Sequence, residues 1–402
     1  MNLENSAKRR FFRLCCILLL GGLVTTCVEP FETEIESFES ILIVDATLTN
    51  EQKQQQVLLS RTFRFNEEQL VETGAEVGIV DDQSTRFEFI ETEPGKYLTP
   101  SEFMAVPGRD YQLIIKTAEG NEYASDFRSL TPVLEIDDLY AERTVNGQGV
   151  LGITVFADSS DPQGNAKFYR YEYDETYKII APRWSPVEIE VLSKNPPEIQ
   201  FVTKTEETRV CYGSASSTDI ILASSTEFDE DKVTRFPIRF LSKENFLTQN
   251  RYSILVRQFV QSPEAFAFYE TLKEFSDFES LFSQTQPGFI TGNIVSRTNS
   301  SEKIIGFFDV SSVSSKRIFF EHIDFFPEGP PPPFINDCET FSPLFFFLGF
   351  SPLIDALETG FFTYFNVNDD PTPDEGPYLL VPKECGDCRV LGSNKVPDFW
   401  EE

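Results

Sequence analysis

Between Ile41 and Phe127 the chain passes through seven short apolar or β-branched runs, "ILIVDATLT", "QQVLLSRTF", "GAEVGIV", "TRFEFIET", "GKYLTP", "DYQLIIKT" and "EYASDF". Turn signals separate them, at Asp81-Asp82, Pro94-Gly95 and Ala118-Glu119-Gly120-Asn121, and no segment of helical period intervenes. β-branched and aromatic side chains suit a pleated, half-buried strand, whereas Gly, Pro, Asp and Asn interrupt one. Strands this short, this many and this closely spaced bury their apolar faces by pairing with their neighbours. The expectation is an antiparallel, Ig-like β-sandwich over residues 40–132, closing near Thr131-Pro132.

A second β-rich domain is expected over residues 133–322. "GVLGITVFAD" reads as a strand, "SSDPQGNA" as a loop, and "KFYRYEYDETYKI" as a strand of strict alternation. Strand side chains alternate between faces, so Tyr169, Tyr171 and Tyr173 share one face and Phe168, Arg170, Glu172 and Asp174 the other. The tyrosine row has two readings, an aromatic platform for a ligand or a core-facing row whose hydroxyls reach the rim. After the strand "RYSILVRQFV" comes a helix start: Ser262 suits the cap, Pro263 the first helical position and Glu264 the positive end. Ala265, Phe268, Tyr269, Leu272 and Phe275 repeat at helical spacing, predicting an amphipathic helix near 262–283 laid on the sheet. "GFITGNIVSRT" and "KIIGFFDVSSVSSKRIFF" return to strand character and are expected to complete the second sandwich. The fold class is therefore mainly β, with two Ig-like or fibronectin-like sandwiches, the second carrying the helix.

Residues 323–402 differ in kind, forming an irregular segment rich in Cys, Pro and aromatics. A stiff polyproline stretch leads into "INDCETFSPLFFFLGFSP". Phe345, Phe346 and Phe347, with Phe350, either plug the end of the second sandwich or present a contact surface to another protein. Asp369, Asp370, Asp374 and Glu375 read as a solvated loop, their order not being that of an EF-hand. Four cysteines fall beyond residue 200: Cys211, Cys338, Cys385 and Cys388. An even number outside the cytoplasm reads first as disulfides, with three pairings open. A four-thiolate metal site, or redox chemistry at "CGDC", are the other readings.

The N-terminal end locates the protein. Lys8, Arg9, Arg10 and Arg13 precede an apolar run from Leu14 to Val24, which contains Cys15 and Cys16. Eleven residues of helix rise about 16 Å, half of the ~30 Å that a bilayer core requires, so this is a leader (1–26) and not a span. Val24-Thr25-Thr26-Cys27 resembles the lipobox of bacterial lipoproteins, which implies cleavage before Cys27 and lipidation of its thiol. Several acyl chains at about 0.8 kcal/mol per buried methylene would hold it almost permanently. The other reading is a plain secreted protein. Residues 27–39 form an acidic tether, and Cys27 is the candidate anchor.

The formal charge of −31 argues against nucleic acid and anionic lipid as partners, since both need a basic footprint. His322 is the single histidine, leaving little conventional catalytic equipment. No enzyme activity, cofactor or metal is expected.

Several blocks together resemble the domain-of-unknown-function family DUF4249 of Bacteroidota lipoproteins: "CVEPFETEI", "ADSSDPQGNAKFYRYEYDETY", "RYSILVRQFVQSPEAFAFYETLK", "GNIVS" with "GFFDVSSVSSKRIFF", and "ECGDCRVLGSNKVPDFW". The resemblance implies an outer-membrane lipoprotein encoded beside a TonB-dependent receptor and serving as its accessory in nutrient uptake. It implies no catalytic residues. Glu29, Glu32, Glu34, Glu36 and Glu39 resemble the acidic surface-export signals of that phylum, which would face the protein to the cell exterior. A structural or adhesive envelope protein is the alternative.

Overall fold

The computed structural model describes residues 40–63, 70–226, 232–276, 290 and 292–402. The leader, Cys27, the acidic tether and the expected helical residues 277–283 lie outside the described residues. The chain is mainly β. All seven runs between Ile41 and Phe127 form strands, and two short strands join them.

These strands are β1 (Leu42–Thr49), β2 (Gln56–Arg61), β3 (Leu70–Val71), β4 (Glu76–Asp81), β5 (Arg86–Glu93), β6 (Lys96–Leu98), β7 (Asp110–Lys116), β8 (Glu122–Ser125) and β9 (Arg128–Ser129). The next group is β10 (Asp138–Val145), β11 (Leu151–Ser160), β12 (Phe168–Ile180), β13 (Val187–Lys194), β14 (Pro197–Thr203), β15 (Val210–Ser216), β16 (Ile221–Ser224), β17 (Lys232–Ser242) and β18 (Tyr252–Val260). Helix α1 (Pro263–Ser276) follows, then β19 (Ile294–Ser296), β20 (Ile304–Ser311) and β21 (Val313–Phe320).

The first sheet runs β19-β8-β7-β4-β5-β6-β2-β1-β20, with β3 on β2 and β9 on β7. Its core follows from alternation. Leu42, Val44, Ala46 and Leu48 of β1 point inward against Val57, Ile79, Leu113 and Phe308, while Ile43, Asp45 and Thr47 point to the opposite face. Burying each large side chain contributes about 1.5–3 kcal/mol.

Here the expectation for the later strands fails. β19 and β20 do not complete the second sandwich; β19 pairs with β8 and β20 lies parallel to β1, with Ile43 opposite Ile305 and Asp45 opposite Phe307. A parallel pair needs a crossover, and this one spans most of the chain, so nothing local to either strand announces it. The run "KIIGFFDVSSVSSKRIFF" breaks at Ser312, whose N–H donates to Thr131 Oγ1 at 2.8 Å. β20 stays with the first sheet, and β21 continues into the second region.

There, β10-β11-β17 and β15-β12-β18-β21, with β16 on β12, share one core. Leu139, Ile153, Val155 and Leu241 of one sheet meet Tyr169, Tyr171, Ile254 and Val256 of the other. Helix α1 begins as expected, with Ser262 Oγ accepting from the Ala265 N–H at 3.2 Å. Ala265 and Phe268 are buried with Phe307 of β20, so the helix packs on the first sheet's outer face. Among the described residues no helix is long and apolar enough to cross a membrane.

Candidate functional site

The outer face of β1 and β20 is the floor of a recess of about 550 Å³, walled by α1 and by side chains of β12 and β18. Four separate stretches of sequence build it. β1 gives Ile43, Asp45 and Thr47, the residues that alternation turns away from the core. β20 gives Ile305, Gly306 and Phe307, α1 gives Phe268, Tyr269 and Leu272, and the second region gives Arg170, Glu172 and Phe259. Gly306 sits where β1 and β20 pass closest: a Cβ there would lie 2.4 Å from the Val44 carbonyl oxygen. Any side chain would push the floor open.

The walls are apolar and aromatic, and the polar groups are few. Arg170 stacks between two rings, its guanidinium carbon 4.2 Å from the Phe259 centroid and 4.8 Å from that of Tyr269. Cations favour aromatic faces in this way. Arg170 Nη1 donates to Glu172, and Arg257 lies 3.8 Å from Glu172 and 2.6 Å from Asp174. Two arginines therefore balance Glu172 and Asp174. Lys53, at the rim, pairs with Glu51.

Asp45 has no such partner. Its carboxylate makes no hydrogen bond or ion pair among the described residues, although solvent reaches it. Desolvation by the surrounding protein holds its carboxyl above the usual carboxylate range; Arg170 opposes this and Glu172 adds to it. Nearby, Asp309 of β20 is buried and bonded to Ser311 Oγ at 2.7 Å, and burial raises its carboxyl too. A mostly apolar cavity with a few converging polar groups is the usual form of a small-molecule site.

The tyrosine row belongs elsewhere. Tyr169 and Tyr171 are fully buried and Tyr173 nearly so, in the core of the second region. The hydroxyls of Tyr169 and Tyr171 are satisfied within the protein, Tyr169 donating to the Ala166 carbonyl at 3.0 Å and Tyr171 to Gln258 Oε1 at 3.0 Å. They form a core row and not a ligand platform. The strand's site-facing side is the opposite one, with Arg170 and Glu172.

The cysteines pair as Cys211–Cys388 and Cys338–Cys385. The two cysteines of "CGDC" thus lead to different partners, which removes both the redox reading and the four-thiolate metal reading. One bond fastens the C-terminal segment to β15. Trp400 packs over Tyr212 of the same strand, with ring centroids 4.9 Å apart. The phenylalanine cluster divides: Phe345 packs beside Leu353, Tyr364 and Leu380, whereas Phe346 and Phe347 are exposed with Leu348 and Phe350. Phe345 is held in a small cluster of the C-terminal segment with Val187, Ile189 and Ile199 of the β13–β14 hairpin, apart from the core that the two sheets of the second region share, so none of the three plugs that core.

Residues 28–317 match a family model whose description is "domain of unknown function (DUF4249)". Among curated proteins none matches.

Proposed function

The chain belongs to the DUF4249 family, and from that premise we propose that it is a non-enzymatic binding protein, tethered to the outer membrane through Cys27 and working beside a TonB-dependent receptor in nutrient uptake. The recess under α1 carries the binding part of this reading. Its volume suits a small molecule, its walls are apolar, and it leaves the Asp45 carboxylate unpaired among the described residues, an arrangement that contributes nothing to folding and suits a ligand. The tether is supported by the basic and apolar leader ahead of Cys27, and the receptor partnership by the family resemblance. The exposed Phe346, Phe347 and Leu348 suit a contact with that receptor.

The test is ligand retention. Ile305→Trp fills the recess from its floor without touching the inward face of β20. Native mass spectrometry after incubation with a small-molecule extract of the cell envelope should find a bound species on the wild type and none on Ile305→Trp. Equal retention by both would refute the recess as the binding site. A protein that binds neighbours in the envelope and takes up nothing is the competing reading, and it predicts no retention by either.

A further inference from the structure

We propose that the recess takes a small organic cation, an ammonium group on an apolar body, with the charge placed at Asp45. This rests on reading the recess as a binding site and adds the chemical class of what enters.

The charge pattern selects the sign. Arg170 and Arg257 are matched by Glu172 and Asp174, and Lys53 by Glu51, so these groups neutralise one another. Asp45 remains as an unpaired carboxylate on the floor, beside Asp309 two positions along the paired strand β20. A charged group in a partly dehydrated recess is stabilised when an opposite charge arrives, and an arriving anion would meet uncompensated repulsion. The acidic chain as a whole adds a field that draws cations toward it.

The walls select the rest of the ligand. Phe259 and Tyr269 already hold the Arg170 guanidinium against their faces, so that end of the recess is filled by a cation of the protein's own. The space left lies over Ile43 and Ile305 and beneath Phe268 and Leu272, which suits a hydrocarbon or aromatic body.

Isothermal titration of the purified protein with phenethylamine, 2-phenylethanol and 3-phenylpropionate tests this, because the three probes share a body and differ in charge. The amine is expected to bind saturably and about tenfold or more tighter than the alcohol, with the carboxylate weakest. Asp45→Asn is expected to abolish the amine's advantage, leave the alcohol unchanged, and melt at or above the wild-type temperature. Alcohol or carboxylate binding as tightly as the amine, or an amine affinity unmoved by Asp45→Asn, would overturn the cation and leave the recess standing as a binding site. Failure of all three probes to bind at millimolar concentration would overturn both.

Discussion

Asn293 and Phe308 are joined by two hydrogen bonds between one side chain and one peptide: Asn293 Nδ2 donates to the Phe308 carbonyl at 2.9 Å, and the Phe308 N–H donates to Asn293 Oδ1 at 2.8 Å. β19 and β20 are the two ends of the first sheet, and Asn293 precedes β19. A side-chain amide therefore mimics a strand's backbone and satisfies the open edge of β20 where no strand does. Both residues are buried, so removing the amide strands two backbone groups. Asn293→Ala is expected to cost about 2 to 4 kcal/mol in chemical denaturation. A loss below about 0.5 kcal/mol would mean that water replaces the amide.

The two disulfides close loops of very different length, with sequence separations of 177 for Cys211–Cys388 and 47 for Cys338–Cys385. On the chain-entropy account these contribute about 5 and about 4 kcal/mol. Replacing both cysteines of either pair by Ser should lower the denaturation midpoint, with the Cys211 and Cys388 pair the more damaging. Peptide mapping without reductant should link the Cys385 peptide to Cys338. A Cys385–Cys388 bond would contradict the pairing.

Asp161 organises the loop between β11 and β12. Its carboxylate accepts from the N–H groups of Gln163, Asn165 and Ala166 at 2.9, 2.6 and 2.7 Å. Desolvation pushes its carboxyl up, but these bonds outweigh it and hold the folded value below the ordinary 3.8. A lowered folded value stabilises the protein above the unfolded value, and the contribution is lost as pH falls through the folded one. Asp161→Asn should therefore be less stable than wild type at pH 6, and the difference should shrink as pH falls below the ordinary carboxylate range and through the folded value. A difference that stays constant from pH 6 to pH 2.5 would show that the carboxylate's charge is not what matters.

Much of the fold is legible in alternation. The seven runs after Ile41 are strands, and so is "KFYRYEYDETYKI", with its tyrosines on one face and its charges on the other. The helix cap at Ser262 is where its residue types place it. The recess is less legible, because its floor is a parallel pair whose strands lie at opposite ends of the family match, and its walls come from two further stretches. Two signals did exist. Asp45 is the one charge in the otherwise apolar and β-branched "ILIVDATLT", and Arg170 and Glu172 occupy the face opposite the tyrosines. The alternation alone does not mark which side of that strand faces the recess, since a buried tyrosine row and a ligand platform share one sequence pattern.

Cys27 is expected to be the protein's hold on the membrane. In cell fractionation, Cys27→Ser should move the protein from the membrane to the soluble fraction, because the leader alone is too short to span. A variant that stays membrane-bound through a carbonate wash would refute lipid attachment at this residue.

The proposed partnership with a receptor is tested most directly by affinity purification of the tagged protein from gently solubilised outer membranes, followed by mass spectrometry of what accompanies it. The account predicts a TonB-dependent receptor in near-stoichiometric amount, retained by Ile305→Trp and weakened when Phe346, Phe347 and Leu348 are changed together to Ser. Consistent recovery of the protein with no such receptor would contradict the account and favour a structural role in the envelope.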